Sequence, residues 1–142
     1  MKIFGKTLKE YLWPIKFYIL AAVLIVISQY YIGLPLQGKY PFILNLTQGL
    51  WAAVVALSVL TLVRMYKDFR MKNVIILGIF YSIIIHGLKA FVFRIFLFPY
   101  SGSFNEVLLK IFGKFLYGSS LVMVVAIITG IIFIYLKSKK QL

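Results

Sequence analysis

The amino-acid sequence predicts an all-α integral membrane protein, a bundle of four transmembrane helices forming a single domain over residues 1–142. Three observations support this prediction. Hydrophobic residues make up 63% of the chain and charged residues only 13%, which leaves too little polar surface for a water-soluble fold. Four apolar stretches are long enough to cross a bilayer, and the basic residues cluster near the ends of these stretches.

Each apolar stretch has roughly the 20 residues that a helix rising 1.5 Å per residue needs to cross about 30 Å of hydrocarbon. We predict spans over residues 15–34, 43–63, 73–98 and 115–136. Breaker residues follow the first and third spans, whereas a short charged segment follows the second. A cleavable signal peptide is the competing interpretation of the first stretch, but its apolar run is too long and no small-residue cleavage site follows it.

The basic residues predict that both termini are cytoplasmic, because lysine and arginine near span ends are retained on that side. They concentrate before the first span, between the second and third, and after the fourth, at Lys2, Lys6, Lys9, Lys16, Arg64, Lys67, Arg70, Lys72, Lys137, Lys139 and Lys140. The two outer connections carry only Lys39, Lys110 and Lys114. We therefore predict a multi-pass protein of the cell membrane. The net charge of +13 is interpreted as a topology signal, so no nucleic-acid partner is expected.

Two shorter segments are predicted to be amphipathic helices at the membrane surface. Residues 2–13 place apolar and charged side chains on opposite sides at helical spacing. Residues 104–112 do the same, after Ser103 and Glu106, which have the spacing of a capping box. A helix continuous with the fourth span would be about 50 Å long, more than the hydrocarbon thickness. We therefore predict a break or bend near Gly113.

The third span contains the residues that most need an explanation. Five residues of this span recur every four positions and therefore lie on one face of the helix: Gly78, Ser82, His86, Ala90 and Arg94. This stripe starts with small residues typical of helix packing and ends in a cation. Arg94 lies near the end of the span, where its long stem can reach the headgroups. Lys89 lies deeper, and a charge in hydrocarbon costs at least about 3 kcal/mol. Lys89 is therefore predicted to face the bundle interior or water.

The chain has only three acidic residues, and their positions leave the cations of the third span largely without a carboxylate to pair with. Glu10 and Asp68 lie on the cytoplasmic side, so Glu106 is the only carboxylate of the chain that can reach Lys89 or Arg94. If Glu106 caps its helix, the compensating anion must come from outside the chain. A lipid phosphate, a lipid-linked or soluble anionic substrate, and a carboxylate of a partner subunit are the candidates. Deprotonation of buried Lys89 is the remaining alternative.

The amino-acid composition argues against several kinds of metal, cofactor and catalytic site. With one histidine and no cysteine, the chain lacks the ligands of a Cys/His zinc site, a bis-histidine haem or a disulfide, so no metal or cofactor is expected. Cation or proton exchange normally needs an intramembrane carboxylate, which is missing. Phosphatidic-acid-type phosphatases need a second histidine, and the Ser82–His86 pair lacks an evident oxyanion hole or orienting group. The sequence leaves enzymatic activity undecided and favours a non-catalytic function.

We expect a protein that binds or translocates an anionic amphiphile, such as a lipid or lipid-linked phosphate, in an outward-facing cationic pocket. His86, Lys89 and Arg94 are the predicted anion-binding residues, with the two cations holding phosphate and His86 donating a pH-dependent hydrogen bond. The predicted lining consists of Ser82 from the stripe of the third span, polar residues near the outer ends of the other spans, and the nearby carboxylate: Ser82, Gln29, Asn45, Gln48, Glu106, Ser119 and Ser120.

A different class of function also fits the sequence. The protein is then a non-catalytic accessory, assembly or immunity subunit of a larger membrane complex, in which Lys89 pairs with a carboxylate of a partner membrane protein. A homo-oligomer is a further possibility, because small-residue seams on the spans serve packing within or between chains.

Overall fold

The computed structural model describes residues 2–139. It confirms the all-α class, with 83% of the residues helical and four helices long and apolar enough to cross a membrane. We label the four long helices α1 (Leu8–Leu36), α2 (Phe42–Met65), α3 (Met71–Leu97) and α4 (Phe104–Ser138). Two short strands, β1 (Lys2–Ile3) and β2 (Lys6–Thr7), precede α1.

Short connections join the helices into a bundle with two distinct ends. We call one the terminal end, which holds the two strands, the connection 66–70 and the last turn of α4. The other, the cavity end, holds the connections 37–41 and 98–103. α4 packs along both α2 and α3, and α1 packs mainly against α2.

Residues 2–7 form a β-hairpin and not the amphipathic helix predicted for residues 2–13. Phe4 and Gly5, at the turn, have φ values of 48° and 86°, and positive φ at both central residues is the requirement of a type I′ turn. Helix starts only at Leu8. The prediction is therefore wrong for the hairpin residues, because helical spacing of side chains does not reveal a turn of this kind.

The first helix departs from regular geometry near its two prolines. Trp13–Ile15 is a tighter 3₁₀ turn around Pro14, and Gln29–Gly33 is a wider π-type turn that precedes Pro35. Proline has no N–H group and its ring crowds the carbonyl four residues earlier. The regular hydrogen-bond pattern therefore cannot run unchanged through either segment.

The third helix also changes its hydrogen bonding along its length. Met71–Tyr81 is regular α-helix, whereas Ser82–Leu97 is π-helix, in which bonds span five residues. π-Helical turns are rare and occur often at functional sites. His86, Lys89 and Arg94 all lie in this segment.

The fourth helix runs without interruption for 35 residues, about 52 Å. The break predicted near Gly113 is wrong, since one helical glycine costs only about 1 kcal/mol and does not interrupt a helix. Residues 104–112 instead continue the packing of α4 on α3, where Phe112 lies 5.8 Å from Phe91 between ring centroids. The position of this segment at a membrane surface stays a prediction.

Glycines allow α3 and α4 to approach closely. A Cβ atom on Gly130 would lie 2.8 Å from Val74 Cγ1, and one on Gly78 would lie 2.6 Å from Met123 Sδ. Close approach at small residues drives helix association where burial of apolar surface cannot. The core between the helices is mainly aliphatic, with buried aromatic rings such as those of Tyr11 and Tyr81. Its aliphatic residues include Ala22, Val26, Val55, Val59, Leu62, Val74, Leu77, Ile85, Val122 and Ala126.

Candidate functional site

A cavity of about 450 Å³ lies at the cavity end of the bundle, and all four helices contribute to its wall. Its volume is in the range of small-molecule sites, about 300–1,000 Å³. Its polar and basic side chains are Gln29, Gln37, Gln48, His86, Lys89, Arg94 and Lys114. Its aromatic side chains are Tyr30, Trp51, Tyr100, Phe115 and Tyr117.

The structure brings the three predicted anion-binding residues, His86, Lys89 and Arg94, into this one cavity. Of the predicted lining residues, Gln29 and Gln48 join them. The other five, which do not line the cavity, are Ser82, Asn45, Glu106, Ser119 and Ser120. Counting residues along a span predicts depth in the bundle but not the direction of the side chain, which explains these misses.

Ser82, Ser120 and Glu106, which do not line the cavity, form hydrogen bonds with backbone groups. Ser82 Oγ donates to the carbonyl of Ser119 at 3.4 Å, and Ser120 Oγ donates within its own helix at 2.9 Å. Glu106 accepts a hydrogen bond from the Ser103 N–H group at 3.2 Å. Glu106 therefore caps the start of α4 and is not paired with a cation of the cavity.

Aromatic rings enclose the guanidinium group of Arg94. Its carbon lies 4.6 Å from the ring centre of Tyr100 and 5.3 Å from that of Tyr30. Tyr30 in turn stacks on Phe93, with centroids 4.5 Å apart. Cation–π contacts of this kind stabilise a guanidinium without neutralising its charge. Arg94 is thus fixed toward the cavity, where its donors remain available to an anion.

Lys89 has no carboxylate partner within residues 2–139. The salt bridge in this part of the chain joins Lys6 to Asp68 at the terminal end. Lys89 is half-buried, and its own carbonyl group accepts a hydrogen bond from the Tyr30 hydroxyl at 3.3 Å. That bond positions the π-helical backbone of Lys89 but leaves its ammonium charge uncompensated.

His86 is held at the bottom of the cavity by close contact with α4. A Cβ atom on Gly118 would overlap the imidazole ring, so only glycine leaves room for it. The imidazole packs edge-on against the indole of Trp51, with centroids 6.0 Å apart and planes at 83°. The ring is therefore positioned from two neighbouring helices.

Three buried polar atoms of the cavity wall lack a hydrogen-bond partner within the described residues: Gln29 Oε1, Trp51 Nε1 and His86 Nε2. A fourth, Ser119 Oγ, lies outside the wall. Buried polar groups in folded proteins are nearly always hydrogen-bonded, and each exception requires an explanation. Three of these four atoms thus belong to side chains of residues that line the cavity.

Sequence reasoning missed two important residues of the wall, Lys114 and Trp51. Lys114 was assigned to an outer connection because the fourth span was predicted to start at residue 115, whereas it lies within the continuous helix α4 and lines the cavity. Trp51 carried a signal, since a tryptophan in the middle of an apolar span needs a partner for its N–H group. The aromatic contacts of Arg94 had no sequence signal, because they join separate segments.

A second hollow of about 590 Å³, the lateral groove, adjoins the cavity along α4. It is lined by Tyr100, Leu109, Lys110, Gly113, Lys114 and Tyr117. Tyr100, Lys114 and Tyr117 also belong to the cavity wall, so the two spaces meet. Leu109 and Tyr117 are exposed, at 75% and 68%. The groove therefore lies at the outer surface of the bundle, beside the cavity.

The chemistry of this site is that of cations, hydrogen-bond donors and aromatic rings. Residues 2–139 contain no cluster of three or more histidine, aspartate or glutamate side chains able to hold a metal ion. No protein-family model, curated protein or solved structure matches this chain.

Proposed function

We propose that this protein binds or translocates an anionic amphiphile, such as a lipid or lipid-linked phosphate, whose charged group occupies the cavity. One observation carries the proposal. Lys89, Arg94 and Lys114 meet in a single cavity, and no described carboxylate pairs with them. Charges inside a membrane protein are costly unless they are paired, hydrated or engaged in function. An anionic ligand supplies the missing pairing.

The arrangement of the cations suits a phosphate group. Arginine offers a planar fork of donors that matches phosphate oxygens, and lysine adds a compact point charge. The Tyr30 and Tyr100 rings already restrict Arg94, so less side-chain entropy is lost when an anion binds. Because Lys114 approaches from α4 and Lys89 from α3, the phosphate is held from two sides.

The lateral groove supports an amphiphile over a small soluble anion. Leu109 and the ring of Tyr117 give its wall an apolar surface, and Lys110 and Lys114 carry charge along it. A lipid can place its headgroup in the cavity while its acyl chains leave through the groove into the bilayer. A free phosphate ion would make no use of this exit.

The accessory-subunit alternative fits the geometry less well. Lys89 lies in a wall made by four helices of the same chain, so a partner carboxylate would have to enter between them. The exposed apolar surface of the bundle is what lipid contact requires and does not single out a partner protein. The same measurement that tests lipid binding also tests this alternative.

The test is native mass spectrometry of the protein extracted from vesicles of equal parts dioleoyl phosphatidylglycerol and dioleoyl phosphatidylcholine. We expect preferential retention of the anionic lipid. Replacing Lys89 and Arg94 together by methionine should lower this retention at least about tenfold, because charge-assisted hydrogen bonds are lost. Wild-type protein that retains both lipids equally would overturn the proposal.

The matched control is the double variant Lys39→Met and Lys67→Met. It also removes two positive charges, but from exposed positions outside the cavity wall. We expect its lipid retention to equal that of the wild type. If the control loses as much anionic lipid as the cavity variant, the attraction comes from net charge and not from the site. Co-purification of a membrane protein that is lost in Lys89→Met would instead favour the accessory subunit.

We further propose that both termini are cytoplasmic in a cell membrane and that the cavity opens outward, as the distribution of basic residues favours. Single cysteines introduced at Lys39 and Lys67 test this orientation, since the chain has no cysteine and both positions are exposed. An impermeant maleimide added to intact cells should label the first and spare the second. Labelling of both from the same side would refute the four-span arrangement.

A further inference from the structure

Three basic side chains of the cavity wall come from two facing helices. Lys89 and Arg94 belong to α3, and Lys114 belongs to α4. Among residues 2–139, no aspartate or glutamate lines this cavity. Glu106, on the same helix as Lys114, accepts a hydrogen bond from the Ser103 N–H group instead. An occupant of the cavity therefore meets three basic groups and no acidic one.

The π-helical part of α3 brings its two basic residues to the same space. At the end of this segment the Phe98 N–H group donates to the carbonyl of Phe93, five residues earlier, at 2.6 Å. In a helix bonded in this way, residues five apart in sequence lie roughly one turn above each other. Lys89 and Arg94 have this separation. In a regular α-helix, at about 100° per residue, they would point about 140° apart.

The number of basic groups distinguishes two forms of phosphate. A phosphodiester joins two organic groups, so it has two free oxygens and a single negative charge. A terminal phosphate has three free oxygens, and as a monoester it carries about 1.5 to 2 negative charges at neutral pH. Charges inside a membrane protein are costly unless they are paired. A terminal phosphate therefore matches three basic groups better than a phosphodiester does.

We infer that the ligand ends in a terminal phosphate, as a lipid phosphate monoester or a lipid diphosphate does, and that Lys114 selects this group over a phosphodiester. Lys89 and Arg94 bind a phosphate of either form from the side of α3. Lys114 is exposed on α4, where the cavity and the lateral groove share a wall, and it pairs with the third oxygen. This inference rests on the proposed function and adds the form of the phosphate.

Two lipids with the same acyl chains differ only at this third oxygen. Dioleoyl phosphatidic acid is a phosphate monoester, and dioleoyl phosphatidylmethanol is the same molecule with one phosphate oxygen methylated. The protein is extracted at pH 8 from vesicles that contain equal parts of both lipids and dioleoyl phosphatidylcholine. We expect native mass spectrometry to show about tenfold preference for phosphatidic acid over phosphatidylmethanol, the effect of one charge-assisted hydrogen bond.

Two lysines of α4 provide a matched pair of variants. Lys110 and Lys114 are both exposed and lie about one turn apart, but only Lys114 lines the cavity. Lys114→Met should reduce the preference for phosphatidic acid to about parity, whereas Lys110→Met should keep it. Both variants should still retain phosphatidylmethanol over phosphatidylcholine through Lys89 and Arg94, which shows that each variant folds and binds anions.

The outcomes separate this inference from the proposed function. Equal retention of phosphatidic acid and phosphatidylmethanol by the wild type, both above phosphatidylcholine, would overturn the inference and leave the proposed function standing. A preference that Lys114→Met leaves unchanged, or that Lys110→Met lowers equally, would have the same consequence. Equal retention of all three lipids would overturn both.

Discussion

The two ends of this helix bundle differ in whether their polar side chains have hydrogen-bond or ion-pair partners. At the terminal end each of the main polar groups has a partner. Lys6 Nζ donates to Asp68 Oδ1 at 2.7 Å and lies 4.1 Å above the Tyr66 ring. Asn73 Nδ2 donates to the Tyr11 hydroxyl at 2.6 Å, and that hydroxyl donates to a hairpin carbonyl. The polar groups there tie the hairpin to the connection 66–70.

At the cavity end, polar groups of the same kinds lack partners. The cations Lys89 and Lys114 have no described carboxylate, and the Gln29 amide has an unpaired oxygen where the Asn73 amide has partners. The terminal end is therefore a closed structural cluster, whereas the cavity end leaves cations and polar atoms without partners among the described residues. This contrast makes opposite predictions for similar substitutions.

The largest expected effect is the difference in unfolding free energy between substitutions of two amide side chains, Asn73 at the terminal end and Gln29 at the cavity end. Asn73→Leu removes the partner of the buried Tyr11 hydroxyl and the bond to the Arg70 N–H group, and should cost about 2–3 kcal/mol of unfolding free energy. Gln29→Met removes an unpaired acceptor and should leave stability unchanged or raise it by up to about 1 kcal/mol. Unfolding in detergent, followed by tryptophan fluorescence, measures both. Equal destabilisation by the two substitutions would mean that Gln29 has a structural partner after all.

The next largest expected effect is a difference in stability between alanine substitutions at two glycines of α4, Gly118 and Gly113. Gly118→Ala places a methyl group against the imidazole of His86 and should cost about 1–2 kcal/mol, with loss of anionic-lipid retention as His86 is displaced. Gly113→Ala has no neighbour within 4 Å and should be neutral or stabilising by up to about 1 kcal/mol, since alanine favours helix. Similar melting temperatures for the two variants would contradict the close approach of α3 and α4 at His86.

The smallest expected effect is a pH dependence at the terminal end. The hydrogen bond from Lys6 holds the pKa of Asp68 below its ordinary value. A carboxylate with a lowered folded-state pKa stabilises the fold above its unfolded pKa, about 3.9, and loses that contribution as pH falls below it. The effect is small because Asp68 is exposed to solvent, which screens the pair.

The melting temperature of the wild type should therefore fall relative to that of Asp68→Asn as the pH is lowered below about 4. Other carboxylates titrate in both proteins, so the difference between the two curves isolates Asp68. Parallel curves would show that the ion pair does not contribute. Anionic-lipid retention at neutral pH should be the same in both proteins, because Asp68 lies at the other end of the bundle.

Helix number was predictable because it depends on the summed hydropathy of long stretches. The boundaries were less predictable. The first helix runs from Leu8 to Leu36, where a separate surface helix over residues 2–13 and a span over residues 15–34 were predicted. α4 continues through Gly113, where length arguments predicted a break or bend. Bilayer thickness limits the apolar part of a helix but does not limit how far a helix extends along its neighbours.

The candidate site was predictable mainly along one helix, although Gln29 of α1 and Gln48 of α2 were also predicted and line the cavity. His86, Lys89 and Arg94 share α3, so their grouping follows from spacing alone. Lys114 and Trp51 come from other helices, and their approach depends on rotation of each helix about its axis. The same reason explains why Asn45 and Ser120 have suitable depth but do not line the cavity.

The sequence by itself determined that the chain is apolar enough for four spans and that its cations in the third span outnumber the carboxylates able to reach them. These are properties of composition and of spacing along one helix, and they require no knowledge of packing. Only the tertiary structure decided which side chains share a cavity, because that depends on contacts between helices. The glycine at position 118 is the physical reason for one such contact, since its missing side chain leaves the space that His86 occupies.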